Sequence, residues 1–123
     1  MGYGMRQVYC KEIRRTEAAT PTNYTYDSCV PAGKVLVIKS MAVTYPNFKT
    51  SEVGQFFVEN GGVIIFVGED SPDRTHGHAY VIGDFAAGEG DRVGVYNPES
   101  ASGDKIIFTI QGELWDRDHW RKG

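Results

Sequence analysis

Cys29 to Tyr45 reads CVPAGKVLVIKSMAVTY, and this stretch decides the fold. Its opening, Val30-Pro31-Ala32-Gly33-Lys34, is turn chemistry: Pro31 fixes its own φ, and Gly33 takes φ > 0 without steric cost. A run of strand formers follows, Val35-Leu36-Val37-Ile38 and then Met41-Ala42-Val43-Thr44-Tyr45. The first four are apolar at every position, which predicts a half-strand covered on both faces. Lys39 and Ser40 interrupt the run, after which Met41, Val43 and Tyr45 alternate onto one face. A strand of this length is long for a globular protein, and it is expected to be the central one against which the others register.

Working outward toward the N-terminus, Tyr24-Thr25-Tyr26 fits a short strand. Thr16 to Tyr24 reads as a polar loop broken by Pro21, and Met5 to Ile13 as a weakly alternating first strand. Toward the C-terminus, Pro46-Asn47 ends the central strand. Val53–Asn60 and Val63–Gly68 flank Asn60-Gly61-Gly62, and Asn-Gly between two strand patterns is the strongest short-range hairpin signal. A charged loop, Glu69 to Thr75, precedes a strand over His76–Phe85, and the turn Ala86–Gly90 leads to a strand over Asp91–Tyr96. After a loop over Asn97–Gly103, Asp104–Trp115 places Ile106, Phe108, Ile110, Gly112 and Leu114 on one face. Thr109, Gln111 and Glu113 fall on the other, the pattern of one buried and one wet face. Val35, Val37, Ile106, Phe108 and Ile110 are expected to share one core.

About eight short strands, with turn signals every eight to twelve residues or so, predict an all-β fold, an antiparallel β-sandwich. Eight is the jelly-roll number. A jelly-roll-like sandwich is preferred to an immunoglobulin-like one, whose Cys…Trp…Cys spacing is missing. The expected organisation is an N-terminal strand or arm over 1–15, the sandwich over 16–115, and a charged C-terminal arm, DRDHWRKG, over 116–123.

Composition bounds the function. At 123 residues the chain is one domain, large enough to bury a core without metals or staples. Fifteen glycines, 12% aromatics and no long helical pattern suit tight turns between strands. The net charge of -3 gives no basic face for nucleic acid. No apolar run reaches the roughly 18 residues of a membrane span. Met1-Gly2-Tyr3-Gly4 opens without the apolar region of a signal peptide. On that ground Cys10 and Cys29 are expected to be buried reduced thiols, although a disulfide remains open if their Cα atoms lie about 5.5 Å apart.

Candidate chemistry is sparse. His76-Gly77-His78 puts two imidazoles on one strand face, which can chelate a metal. A cupin-type site would add a Glu a few residues on and a further His; here Ala79 to Gly83 follow, and the only other histidine is His119. Glu69, Asp70 and Asp73 form an acidic loop of a kind that can hold Ca²⁺ and is more simply a solvated turn. Gly88-Glu89-Gly90-Asp91 lies between strands, not before a helix, so it is not a phosphate loop. No serine has a G-x-S-x-G context. Tyr80, Tyr96 and Trp115 are candidates for a sugar-stacking platform. No enzyme, cofactor or metal site is expected.

Three stretches carry a resemblance. VPAGKVLVIKSMAV (from Val30), FAAGEGDRVGVY (Phe85–Tyr96) and IQGELW (Ile110–Trp115) together resemble small β-sandwich structural proteins of tailed bacteriophages. In that group a VPAGK turn opens a core strand, a Gly-Asp turn introduces the penultimate strand, and the last strand ends on a small-residue, aromatic pattern. The resemblance implies a virion component, made in the host cytoplasm: a capsid decoration protein, a head–tail junction protein or a tail-associated sandwich. Its partners would be copies of itself, with a trimer as the first expectation, and the major capsid protein. The basic N-terminal residues Arg6, Lys11, Arg14 and Arg15, with Trp115, Trp120 and Arg121, are the expected interface. A glycan-binding module that stacks sugars on Tyr and Trp is the alternative of a different class.

Overall fold

The computed structural model describes residues 6–18, 22–46, 53–70 and 78–117. They form eight strands: β1 Arg6–Thr16, β2 Tyr24–Tyr26, β3 Lys34–Thr44, β4 Gly54–Asn60, β5 Val63–Asp70, β6 His78–Ala87, β7 Arg92–Tyr96 and β8 Lys105–Asp116. Sheet A has the order β1-β8-β3-β6 and sheet B the order β2-β7-β4-β5. The antiparallel pairs β1 with β8, β2 with β7, β3 with β6 and β4 with β5 are nested. The chain is thus one long antiparallel ribbon rolled over on itself, with β3–β8 and β4–β7 contacts joining its arms. This is an antiparallel jelly-roll sandwich. Residues 6–15, set apart above as a strand or arm, supply β1 of sheet A.

β3 is central in sheet A, paired with β8 on one side and β6 on the other. Both ladders shift register between Ile38 and Ser40, a β-bulge at the Lys39-Ser40 interruption. Before it Leu36 and Ile38 face inward; after it Met41, Val43 and Tyr45 do. Across from the bulge sits Gly112, where a Cβ would lie 2.1 Å from the Val37 carbonyl oxygen. The bulged backbone therefore leans on β8 at a position only glycine accommodates.

The core joins Leu36, Ile38, Met41 and Val43 to Phe56, Val58, Val93, Val95, Ile106, Phe108 and Ile110. Val35 and Val37 depart from the expected core. Both are buried, as a strand covered on two sides requires, but they pair with Trp115 and Glu113 on the outer face of sheet A. An all-apolar run carries no mark of its phase, and here the bulge and the β8 register set it. Gly61 and Gly62 form the two-residue β4–β5 loop with φ of 54° and 86°, the twist that suits a hairpin. Cys10 and Cys29 are unbonded and exposed, correcting the expected burial; Cys10 lies on the outward face of β1.

Candidate interaction surfaces

One lateral side of the sandwich, between β1 and β2, is closed by polar side chains. The Tyr9 hydroxyl donates to Asp27 Oδ2 at 2.5 Å, and Lys11 Nζ pairs with Asp27 Oδ1 at 2.7 Å. Burial, then the Asp27 hydrogen bond, pushes the Tyr9 hydroxyl well above its ordinary range. Arg15 donates to Thr25 at 3.0 Å and to Glu17 at 2.7 Å. Glu17 is 3% exposed and also accepts a hydrogen bond from Ser100. Burial acts to raise its pKa, but hydrogen bonds from Arg15 and Ser100 and the Arg15 charge outweigh it, and the net shift is downward. Lys11 and Arg15, two of the expected interface residues, are thus engaged within the chain. Tyr9, Asp27 and Glu17 were not singled out from the sequence, because nothing in a polar loop marks which acid will be buried.

The outer face of sheet A brings two other expected residues together. The Arg6 guanidinium lies 5.7 Å from the Trp115 ring centroid and 3.5 Å from Glu113, to which the Trp115 indole N–H donates at 3.2 Å. Arg14 points outward at the far end of β1 and pairs with Glu12 at 2.8 Å. Trp120 and Arg121 lie outside the described residues.

The outer face of sheet B carries an aromatic cluster. Tyr24 stacks on Tyr96 at 4.6 Å and on Tyr26 at 5.9 Å, and Tyr26 meets Phe57 edge-on at 5.4 Å. Phe57 in turn meets Phe66 at 6.1 Å and is fully buried beneath its neighbours, over the bare backbone of Gly94. Arg92 lies 3.9 Å above the Tyr26 ring and is held by Glu59 at 2.7 Å. Tyr96 and Trp115, expected in one sugar platform, lie on the outward faces of opposite sheets. The alternation of Tyr24 and Tyr26 was the available signal for this cluster, since period two puts both on one face.

The other lateral side, between β5 and β6, is open and apolar. Val63 and Ile65 pair with Asn60 and Val58, so they face inward with the core residue Val58, yet they are 62% and 55% exposed. They border a cleft of about 480 Å³ lined also by Val58, Val67, Phe85 and Asp91, whose carboxylate accepts from the Asn60 side chain and the Gly88 N–H. Phe66 on β5 and Ile82 on β6 are also exposed, on the outer faces of sheet B and sheet A respectively.

The metal candidates fall apart in space or out of view. Glu69 and Asp70 close strand β5 instead of opening a loop, and Glu69 accepts from Gln55 at 2.6 Å. Asp73 and His76 lie outside the described residues, and His78 opens β6 opposite Thr44. Among the described residues no three His, Cys, Asp or Glu side chains group to hold a metal ion.

Fold and surfaces define a jelly-roll sandwich with one closed and one open side. No protein-family model matches the sequence, and no curated protein sequence matches it. Solved structures do match. The Drosophila NLP core, described in terms of pentamer formation and histone binding, is 15% identical, with 85% of this chain and 97% of that one covered at a TM-score of 0.51. The nucleoplasmin-like N-terminal domain of Drosophila FKBP39 is 12% identical, with 94% and 95% covered at 0.48. The virus-like particle of the Macrobrachium rosenbergii extra small virus is 12% identical, with 90% and 79% covered at 0.43. The likeness to the NLP core is one of fold.

Proposed function

We propose that this chain is a non-enzymatic structural module that assembles with copies of itself, carried on the head of a tailed-bacteriophage particle as a decoration protein. One observation carries the reading: the two edge strands β5 and β6 hold four of the five exposed large hydrophobic side chains among the described residues, Val63 and Ile65 over the cleft, Phe66 on the outer face of sheet B and Ile82 on that of sheet A. Exposed apolar side chains along the edge strands of both sheets suit contact with a neighbouring molecule, and burying each contributes about 1.5–3 kcal/mol. The virion assignment is supported by motif placement. The VPAGK turn opens β3, Gly90-Asp91 introduces β7, and the Gln111–Trp115 stretch ends β8, as the phage resemblance has them. The Drosophila NLP core, described in terms of pentamer formation, illustrates a sandwich of this fold that assembles with copies of itself. A module that binds only the assembled lattice stabilises it by mass action, and closed symmetry multiplies weak contacts by avidity.

Glycan binding is favoured by the tyrosine face of sheet B and disfavoured by its geometry. Tyr24 is covered by Tyr96 and Tyr26, and Tyr26 lies under Arg92, so ring faces that a sugar would stack on are occupied. Sedimentation of the purified chain across concentration, alone, with empty phage heads and with an insoluble polysaccharide, tests both readings. Concentration-dependent association and pelleting with heads are expected. A monomer at all concentrations that pellets only with polysaccharide overturns the proposal.

A further inference from the structure

Strand β5 is an edge of sheet B, paired with β4 along one side and with no strand of its sheet along the other. The hairpin fixes which of its backbone groups face that free side. A two-residue turn is closed by the N–H of its fourth residue on the carbonyl of its first, here Val63 on Asn60, so Val63 turns its backbone to β4. Backbone groups alternate along an antiparallel ladder. Ile65 therefore also faces β4, while Ile64 and Phe66 present their N–H and C=O to the free side. Val67, at the register shift opposite Phe56 and Phe57, ends the straight segment. Such an edge is a template for another strand, and proteins blunt it with cations, proline, brevity or a bulge. Two other edges are blunted: β1 carries Arg6, Lys11, Arg14 and Arg15, and β2 is three residues long. β6 holds Gly83 and Asp84 in mid-strand. β5, VIIFVGED, has no Lys, Arg or Pro, and its bulge lies at the end of the apolar run. Val63, Ile65 and Phe66 on it are all more than half exposed.

We propose that β5 pairs with β5 of a second copy, antiparallel about a two-fold axis at Ile65, so that the two copies of sheet B run on as one. The inference rests on the self-association proposed above and names the strand that mediates it. Facing residues must point to the same side of the joined sheet, which leaves few registers. About Ile65, Ile64 of each copy faces Phe66 of the other, and all four free N–H groups of these residues gain an acceptor. An axis at Ile64 would instead set Phe66 against Gly62 of the turn, and one at Phe66 would carry the Val67 bulge into the ladder. In the Ile65 register every facing pair from Val63 to Val67 is apolar. Ile65 meets Ile65 and Val63 meets Val67 on the inner face, and Ile64 meets Phe66 on the outer, at Cβ separations of about 4.5–5.5 Å. Glu69 and Asp70 of the two copies fall at opposite ends of the seam, so like charges stay apart. One seam thus covers Val63, Ile65 and Phe66, which lie on both faces of the strand. That the run is complementary to itself selects a second copy over a foreign strand.

Four samples decide it by sedimentation equilibrium: the unaltered chain, Ile65→Lys, Ile65→Glu, and an equal mixture of the two variants. Ile65 is the residue that faces itself, so each variant sets like charges directly opposite one another. Each is expected to associate at least tenfold more weakly than the unaltered chain. The mixture is expected to recover association, because opposite charges then meet at the axis; a contact elsewhere on the molecule would give no such recovery. Hydrogen exchange on the unaltered chain is a second readout and decides alone if a charged variant does not fold. On passing from monomeric to associating concentration, the amides of Ile64 and Phe66 are expected to slow at least tenfold. Those of Val63 and Ile65, already bonded to β4, are expected to slow much less. Variants that associate as tightly as the unaltered chain, a mixture no more associated than its parts, or an associating chain whose Ile64 and Phe66 amides do not slow overturns the seam and leaves self-association standing. An unaltered chain that is monomeric at every concentration removes the self-association itself, and the seam with it.

Discussion

At the scale of the residue, stability is concentrated in a few fully enclosed side chains. Phe108 is 0% exposed, on the inward face of β8, with its ring 6.4 Å from that of Phe56 across the sandwich. Phe108→Ala removes that bridge between the sheets and is expected to cost about 3–5 kcal/mol in denaturant unfolding; a loss under about 1 kcal/mol would contradict the packing. Glu17 is the polar counterpart. Its folded pKa lies below the ordinary value, so it stabilises the fold fully above the unfolded pKa of about 4.3, and that contribution is lost as pH falls through the folded pKa. The melting midpoint is therefore expected to drop as pH falls below about 4.3, and to drop less in Glu17→Gln, which starts lower at pH 7. Parallel curves for the two proteins from pH 7 to pH 3 would show that Glu17 is not the group responsible. Phe108 was legible from alternation, whereas Glu17 was one more acid in a polar loop.

At the scale of the element, the bulge in β3 converts one long strand into two half-strands of opposite phase. Without it, Met41 and Val43 would continue the outward phase of Val35 and Val37, and half the core would face solvent. Gly112 is its complement on β8: a Cβ there would stand 2.1 Å from the Val37 oxygen and 3.0 Å from Ile38 Cα, both backbone atoms that cannot rotate away. Gly112→Ala is expected to destabilise by about 1–3 kcal/mol, the cost of forcing atoms into a packed site. Urea unfolding measures it; a neutral result would mean that β3 and β8 are not held this closely.

At the scale of the molecule, the two lateral sides differ in kind. The β1–β2 side is closed by Tyr9, Lys11, Arg15, Asp27 and Glu17, while the β5–β6 side leaves apolar side chains over a cleft. Local opening should follow that difference, since segments with few buried contacts open at low free energy. In hydrogen exchange at monomeric concentration, amides of β5 and β6 are expected to exchange well before those of β3 and β8. Raising the concentration is expected to protect β5 and β6 selectively. Equal protection of all four strands at every concentration would argue against an open side.

Strand number, strand order along the chain, the central place of β3 and the Asn60-Gly61-Gly62 hairpin were determined by sequence alone. Each rests on a local property: β-propensity, period-two alternation, or a glycine where φ must be positive. The inward set of β8 was legible for the same reason, since Ile106, Phe108 and Ile110 recur at every second position, with Lys105, Thr109 and Gln111 on the other face and Ile107 the one apolar exception. Tertiary structure decided the rest. Whether Val35 or Leu36 faced the core depended on a bulge and on the register with β8, because a strand apolar at every position fits either phase. That Lys11 and Arg15 pair within the chain, and that Tyr96 and Trp115 lie on opposite faces, depended on which strands became neighbours. Pairing joins residues as far apart in sequence as Arg6 and Trp115, and no local pattern carries that information.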